Sequence, residues 1–253
     1  MSASGSVTII GLGPGDPRLL TESARDALDR AQDLIGYIPY VARVPEREGL
    51  TRHASDNRVE VDRARHALEL AVAGRHVAVV SGGDPGVFAM AAAVFEAVEH
   101  GPAHWRDLDI RVEPGITAML AAAARLGAPL GADFCAISLS DNLKPWDVVT
   151  ARLEAVLRAG LSVALYNPIS SARPWQLGRA LALAAEILPA TTPVIFARAV
   201  TRPDEALRVL TLDEARTAPA DMATMIIIGA ATTRLIEREG RLPFVYTPRS
   251  VTL

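Results

Sequence analysis

Only one of the 253 residues is a cysteine, Cys135, so the chain has no internal disulfide framework. Histidine is almost as scarce, and five scattered residues beside a single cysteine leave no metal-ligand cluster. His100 and His104 stand four apart, but Gly101 and Pro102 spoil the helix that would align them. No metal is expected. Lysine is nearly missing too: of 26 basic residues, all but Lys144 are arginine. Genomic codon bias is the simplest account of that skew, and a demand for bidentate anion binding is the other. A net charge of -3 and a pI near 6.0 give no global footprint for nucleic acid. The most apolar stretches are broken by Arg125 or by glycines before the ~18 residues that a membrane span requires. The opening MSASGS has neither the basic flank nor the apolar core of a signal peptide. Together these point to a cytoplasmic protein with no membrane or nucleic-acid partner.

The composition, 50% hydrophobic and 22% charged, suits one large α/β domain or two smaller ones with separate cores. Strand and helix patterns alternate through the first half. Strands are expected at Val7–Ile10, Asp33–Tyr37, Val77–Val80 and Asp109–Val112, and helices at Thr21–Ala31, Asp62–Ala73 and Val87–Glu99. That alternation specifies a mainly parallel sheet with crossover helices. An Ala-rich helix from Ile116 leads into a second unit. Its strands are expected near Phe134–Leu139, Leu161–Tyr166, Pro193–Ala197, Ala206–Thr211 and Thr224–Ile228, with helices near Val148–Ala159 and Trp175–Ile187. Two of these strands follow one another directly across Thr201–Glu205, so the second sheet is expected to be mixed. The domains are placed at 1–115 and 116–253.

Three Gly/Pro turns follow apolar, β-branched runs: VTIIGLGPGDP (Val7–Pro17), VAVVSGGDPGVF (Val77–Phe88) and IRVEPGITA (Ile110–Ala118). Such runs read as buried parallel strands, whose carboxyl ends line the ligand crevice of open α/β sheets. GLGPGD fails the dinucleotide fingerprint, with Asp16 at the sixth position, and no G-K-[ST] exists for a P-loop. Any one turn alone is simply a tight connection. Three of them, with Asp16 and Asp84 at the same kind of place, favour a ligand bearing hydroxyl or cationic groups. Asp84 is suited to accept from ribose hydroxyls or an amino group, while backbone at Gly82 and Gly83 packs against the ligand.

GLGPGDPRLLT (Gly11–Thr21), SGGDPGVFAM (Ser81–Met90) and EPGITA (Glu113–Ala118), in this order and spacing, resemble the tetrapyrrole methylase family of S-adenosylmethionine-dependent enzymes. GYIPYV (Gly36–Val41), LGAPLGADFCAISLSDNLKPW (Leu126–Trp146), LYNPISSARPWQL (Leu165–Leu177), DMATMIIIGAATT (Asp221–Thr233) and YTPR (Tyr246–Arg249) are similar to one branch. Enzymes of that branch methylate precorrin-3B at carbon 17 and contract its ring in cobalamin biosynthesis. The resemblance implies two α/β domains with the cofactor in the cleft between them, a homodimer, and S-adenosylhomocysteine as product. It carries cofactor contacts to Pro14, Gly82, Gly83, Asp84, Val87, Thr117, Ala118, Asn167, Ala199, Met222 and Thr224. At 198–201 the branch's usual Arg-Asn-Ala-Gly is here Arg198-Ala199-Val200-Thr201. A contact made there by backbone tolerates the change, and one made by an Asn side chain does not. Acceptors other than precorrin-3B, including a cobalt-containing intermediate, fit the same motifs, and a nucleotide-binding regulatory or redox module is the rival class.

Methyl transfer from a sulfonium is an in-line displacement with an activated donor, so the protein mainly aligns the reactants and excludes water. No G-x-S-x-G and no His beside a strand-end Ser supply a nucleophile. Ring contraction also moves a proton at a hydroxyl, which suits a positioned acid or base. SLSDNLKPW places Ser140, Asp141 and Lys144 at a strand's C-terminal end as candidates, with Asn142 as a substrate contact. The same residues also suit a solvated loop, with Pro145 starting the next helix. Arg43, Arg47, Arg52 and Arg58 lie in the long irregular segment after the second strand and are candidate clamps for precorrin carboxylates. Tyr37 and Tyr40 fit either the pigment plane or the core.

Overall fold

The computed structural model describes residues 5–56, 59–170 and 172–250. Contacts divide the chain into two units after Thr117.

The first unit runs β1 (Ser6–Gly11), α1 (Glu22–Arg30), β2 (Asp33–Tyr37), α2 (Ile38–Val41), β3 (Thr51–Ser55), α3 (Glu60–Val72), β4 (His76–Ser81), α4 (Met90–His100) and β5 (Asp109–Glu113). Its strands pair in the order β3-β2-β4-β1-β5, all parallel. Both faces are covered, which is why the central strands are apolar at nearly every position. Val7, Ile9, Ile35, Val77 and Val79 pack under α3 and α4, and Ile10, Leu34, Ala78 and Val80 pack with Ala24, Ala27 and Leu28 of α1. Thr21 caps α1, its hydroxyl accepting from the Ala24 amide at 3.2 Å. Gly74 takes φ 85° after α3, as expected of a C-terminal stop.

Two expectations change here. The segment after β2 is not irregular throughout, because it contains α2 and the edge strand β3, whose TRHAS lacks the apolar pattern of a buried strand. Helix α4 begins three residues later than its sequence pattern, because Phe88 takes φ 52° and cannot continue a right-handed helix.

The second unit runs α5 (Ala118–Leu126), β6 (Gly127–Ala128), β7 (Phe134–Ser138), α6 (Trp146–Arg158), β8 (Ser162–Tyr166), α7 (Gln176–Ala185), β9 (Pro193–Arg198), β10 (Ala206–Thr211), α8 (Leu212–Ala215), β11 (Thr224–Ile228), β12 (Arg234–Arg238) and β13 (Arg241–Tyr246). The main sheet, β10-β9-β11-β8-β7, is mixed: β7 and β8 are parallel and the other pairs antiparallel. Its core gathers Leu139, Val149, Leu153, Leu157, Leu165, Leu181, Phe196 and Ile226. A small sheet, β12-β13-β6, follows. Its hairpin was invisible to periodicity, because nearly all of β12 and half of β13 are exposed, and Arg and Glu interrupt the apolar residues.

Candidate active site

The three glycine turns follow β1, β4 and β5, and in the sheet order β4, β1 and β5 are neighbours. Their C-terminal ends therefore fall side by side. Gly13 and Gly83 exchange two backbone hydrogen bonds, 3.1 Å from Gly13 N to Gly83 O and 2.9 Å in return. The Asp84 carboxylate joins the third turn, accepting from the Gly115 amide at 3.0 Å with one oxygen and from Gly86 at 2.8 Å with the other. Backbones meet so closely that a Cβ on Gly115 would lie 2.2 Å from Gly83 O, and one on Gly11 2.7 Å from Gly115 N. Only glycine fits at these two positions.

Around this assembly Pro14 and Thr117 are buried, while Gly82, Gly83, Asp84 and Val87 are half-buried. Each Asp84 oxygen accepts one amide, and a carboxylate offers about four lone-pair sites, so acceptor capacity remains for a ligand. Asp16 is used otherwise. It caps the single turn Pro17–Leu19 and pairs with exposed Arg18 at 2.6 Å. Tyr40 packs inward, with its ring 2.7 Å from where a Gly82 Cβ would sit and edge-on to Tyr37.

Three of the candidate arginine clamps bond backbone carbonyls. Arg43 Nη2 donates to the carbonyls of Leu12 at 2.6 Å and Gly13 at 3.0 Å, bracing the first turn. Arg47 Nη2 donates to Leu28 O at 3.0 Å and to Ala31 O, closing the C-terminus of α1. Arg52 donates to the Val41 and Val44 carbonyls and to Glu46. These guanidinium groups hold backbone of their own unit, where carbonyls would otherwise lack donors. Arg58 lies outside the described residues.

In the second unit the assigned residues cluster at two places. Asn167, directly after β8, donates from Nδ2 to Ser138 Oγ at the end of β7, 3.0 Å away. Ser140, Asp141, Asn142 and Lys144 lie in the loop from β7 to α6, with Asn142 exposed. Sequence reasoning passed over two partners of this loop. Arg173 donates to Ser140 Oγ and approaches Asp141 Oδ1 at 3.9 Å, and Gln176 donates to Asp141 Oδ2 at 3.2 Å. Their signal was the RPWQ stretch quoted within the branch motif. Burial, and after it the charge of Arg152, holds the Lys144 ammonium below the usual lysine range.

The other cluster lies where β9 ends and β11 begins. Ala199 N donates to Ala223 O at 2.9 Å. Asp221, also passed over, accepts from Thr224 Oγ1 at 2.7 Å, Ala223 N at 3.0 Å and Arg198 Nε at 2.7 Å. Burial pushes the Asp221 carboxyl up, but these hydrogen bonds and the Arg198 charge outweigh it and leave it below the ordinary range. Thr224 is buried and Met222 is 65% exposed. Ala118 begins α5.

An all-parallel sheet ending in fused glycine turns and a mixed sheet ending in polar loops define a two-domain α/β enzyme whose chemistry sits at strand ends. Residues 6–216 match the family model of the Tetrapyrrole (Corrin/Porphyrin) Methylases, and the chain belongs to that family. It is 56% identical over 246 residues to a precorrin-3B C(17)-methyltransferase of Sinorhizobium sp, covering 97% of each chain. The solved structure of the methyltransferase CobJ is 54% identical, with a TM-score of 0.90 over 97% of this chain and 100% of that one. A Thermus thermophilus uroporphyrin-III C-methyl transferase complexed with S-adenyl homocysteine shares the fold at 22% identity, with a TM-score of 0.69 over 93% and 97% of the two chains.

Proposed function

We propose that this protein is an S-adenosylmethionine-dependent methyltransferase that methylates precorrin-3B at carbon 17 with ring contraction, giving precorrin-4 and S-adenosylhomocysteine in cobalamin biosynthesis. The fused turn assembly carries the cofactor part of this reading, because a bare backbone edge with an acceptor at Asp84 suits an adenosyl ligand. The 56% identity to a precorrin-3B C(17)-methyltransferase supports the acceptor.

Bound S-adenosylmethionine supplies a methyl carbon already activated by its sulfonium. Gly82, Gly83 and Asp84, with Pro14, Val87 and Thr117, are its proposed contacts in the first unit. Ala118, Asn167, Ala199, Met222 and Thr224 are those proposed in the second. Since the displacement needs alignment above all, hydrogen-bonded loops are the right scaffold. In the β7–α6 loop Asp141 is the acid–base group of ring contraction, with Ser140, Asn142 and Lys144 beside it to receive the pigment's oxygens. The enzyme works as a cytoplasmic homodimer in this reading.

The test is incubation of the purified protein with precorrin-3B and methyl-labelled donor, followed by mass and NMR analysis of the pigment. Label at carbon 17 of a contracted ring is expected. Labelling only of a cobalt-containing pigment would move the acceptor. Calorimetry that finds dinucleotide binding and no S-adenosylhomocysteine binding would overturn the class.

A further inference from the structure

The geometry points to Arg173 and Gln176 as the residues that position Asp141 and let its carboxyl group take up and release a proton. This rests on the reading of Asp141 as the acid–base group. Gln176, the first residue of α7, is 1% exposed, and its Nε2 donates to Asp141 Oδ2 at 3.2 Å. Its Oε1 is buried with no hydrogen-bond partner. A buried carbonyl left that way is costly, and an apolar side chain of the same size would avoid the cost.

The two ends of the amide match two states of the neighbour. An ionised Asp141 only accepts, and Nε2–H serves it. A protonated Asp141 donates, and Oε1 serves it after the amide turns over. A glutamine can therefore hold the carboxyl group before and after proton transfer. When Asp141 acts as base, the O–H bond of a substrate hydroxyl breaks, its proton moves to Asp141 and the electron pair stays on the oxygen.

Arg173 faces the other carboxyl oxygen of Asp141. Its Nη1 lies 3.9 Å from Asp141 Oδ1 and bonds Ser140 Oγ, and its Nε donates to Ser170 Oγ at 3.3 Å. Ser138 Oγ accepts from both Asn167 Nδ2 and Ser140 N, at 3.0 and 3.3 Å, tying the loop to the end of β8. The rings of Trp146 and Trp175 pack edge to face at 4.9 Å and join the starts of α6 and α7. The other cation of the loop is Lys144, with Arg152 of α6 next to it.

The test uses the whole enzyme with precorrin-3B, measuring kcat, KM and their pH profiles. Positioned acid–base groups contribute about 10²–10⁴-fold, so Asp141→Asn should lose at least about 100-fold in turnover and keep its S-adenosylhomocysteine affinity. Gln176→Leu should lower kcat about tenfold or more with KM nearly unchanged. Gln176→Glu sets a like charge beside Asp141, and Arg173→Met removes the opposite one. Both should move the acidic limb of the kcat profile to higher pH, and Arg173→Lys should restore much of it. If Asp141→Asn is inactive while Gln176→Glu and Arg173→Met keep the wild-type limb, this inference falls and the acid–base reading stands. If Asp141→Asn turns over normally, both fall. Should the apolar variants fail to fold, the near-isosteric Gln176→Glu alone decides: a shifted acidic limb is expected, and a wild-type limb overturns the inference.

Discussion

Removing the Asp84 carboxylate should uncouple the third glycine turn from the second. It is the side chain that accepts amides from both, Gly86 at 2.8 Å and Gly115 at 3.0 Å. A hydrogen bond to an ionised group contributes about 1.5–3 kcal/mol net, less where water can replace it. Asp84 is half-buried, so Asp84→Ala should lose roughly 2–3 kcal/mol of the first unit's stability. At about 2–4 °C per kcal/mol, that is roughly 4–12 °C in the melting temperature. Asp84→Asn keeps one acceptor oxygen and replaces the other by a donor, so it should fall between the two. Cofactor affinity should follow the same order, because the backbone edge that receives it is the one Asp84 holds together. Differential scanning calorimetry and titration with S-adenosylhomocysteine read the two effects separately. A folded Asp84→Ala protein with wild-type melting temperature and affinity within twofold would refute the coupling.

Three further outcomes are expected. Asp33 is buried between His53 at 2.8 Å and Arg75 at 2.7 Å; burial raises its carboxyl, but these partners outweigh that and hold it below the ordinary range. Its contribution is therefore present above the unfolded value near 3.9 and lost as pH falls through the lower folded one. Asp33→Asn should cost about 2–3 kcal/mol at pH 7, a gap that closes below about pH 4 in urea titrations; a gap independent of pH would contradict the assignment. Arg47→Ala should lower stability by about 1–2 kcal/mol through the lost carbonyl contacts at the end of α1, while steady-state kinetics show an unchanged KM for precorrin; a large KM rise would restore Arg47 as a clamp. Thr201, β-branched at φ 69°, carries a cost of about 1–2 kcal/mol that glycine escapes, less about 0.5–1 kcal/mol for glycine's greater freedom when unfolded. Thr201→Gly should thus unfold at slightly higher urea, and a clear loss of stability would count against the left-handed conformation.

How much of the fold was legible depended on burial. β2, β10 and β11 fall where periodicity placed them, Asp33–Tyr37, Ala206–Thr211 and Thr224–Ile228, because each is bounded by turn residues or a helix cap; β2 and β11 also lie inside their sheets, whereas β10 is an edge strand. β3, β12 and β13 were not legible. TRHAS and the RLIER-EG-RLPFVY hairpin are largely solvated, so pairing and not side-chain pattern makes them strands. The carbonyl contacts of the arginines were hidden for a related reason. An Arg in a loop reads as an exposed cation, but its partners here are carbonyls brought near by tertiary structure, such as Leu28 and Ala31 for Arg47. No local pattern announces them.

Each glycine turn was legible singly, yet their meeting required the order β4-β1-β5, which sequence alone does not supply. Backbone strain adds a line of argument independent of motif. Among the described residues, the non-glycine positions with positive φ are Phe88, Asn167, Ala199 and Thr201. Such conformations persist where surrounding structure over-determines them, and they gather at ligand sites. Asn167 and Ala199 are assigned cofactor positions, Phe88 adjoins Val87, and Thr201 lies two residues past Ala199. Moreover, Ala199 and Thr201 stand where the branch usually carries Asn and Gly, the residue types that tolerate left-handed backbone. This chain adopts left-handed backbone there without the residues that ease it. Left-handed backbone held at that cost fits the proposed cofactor contact being made there by main chain, since an Asn side chain is absent at 199.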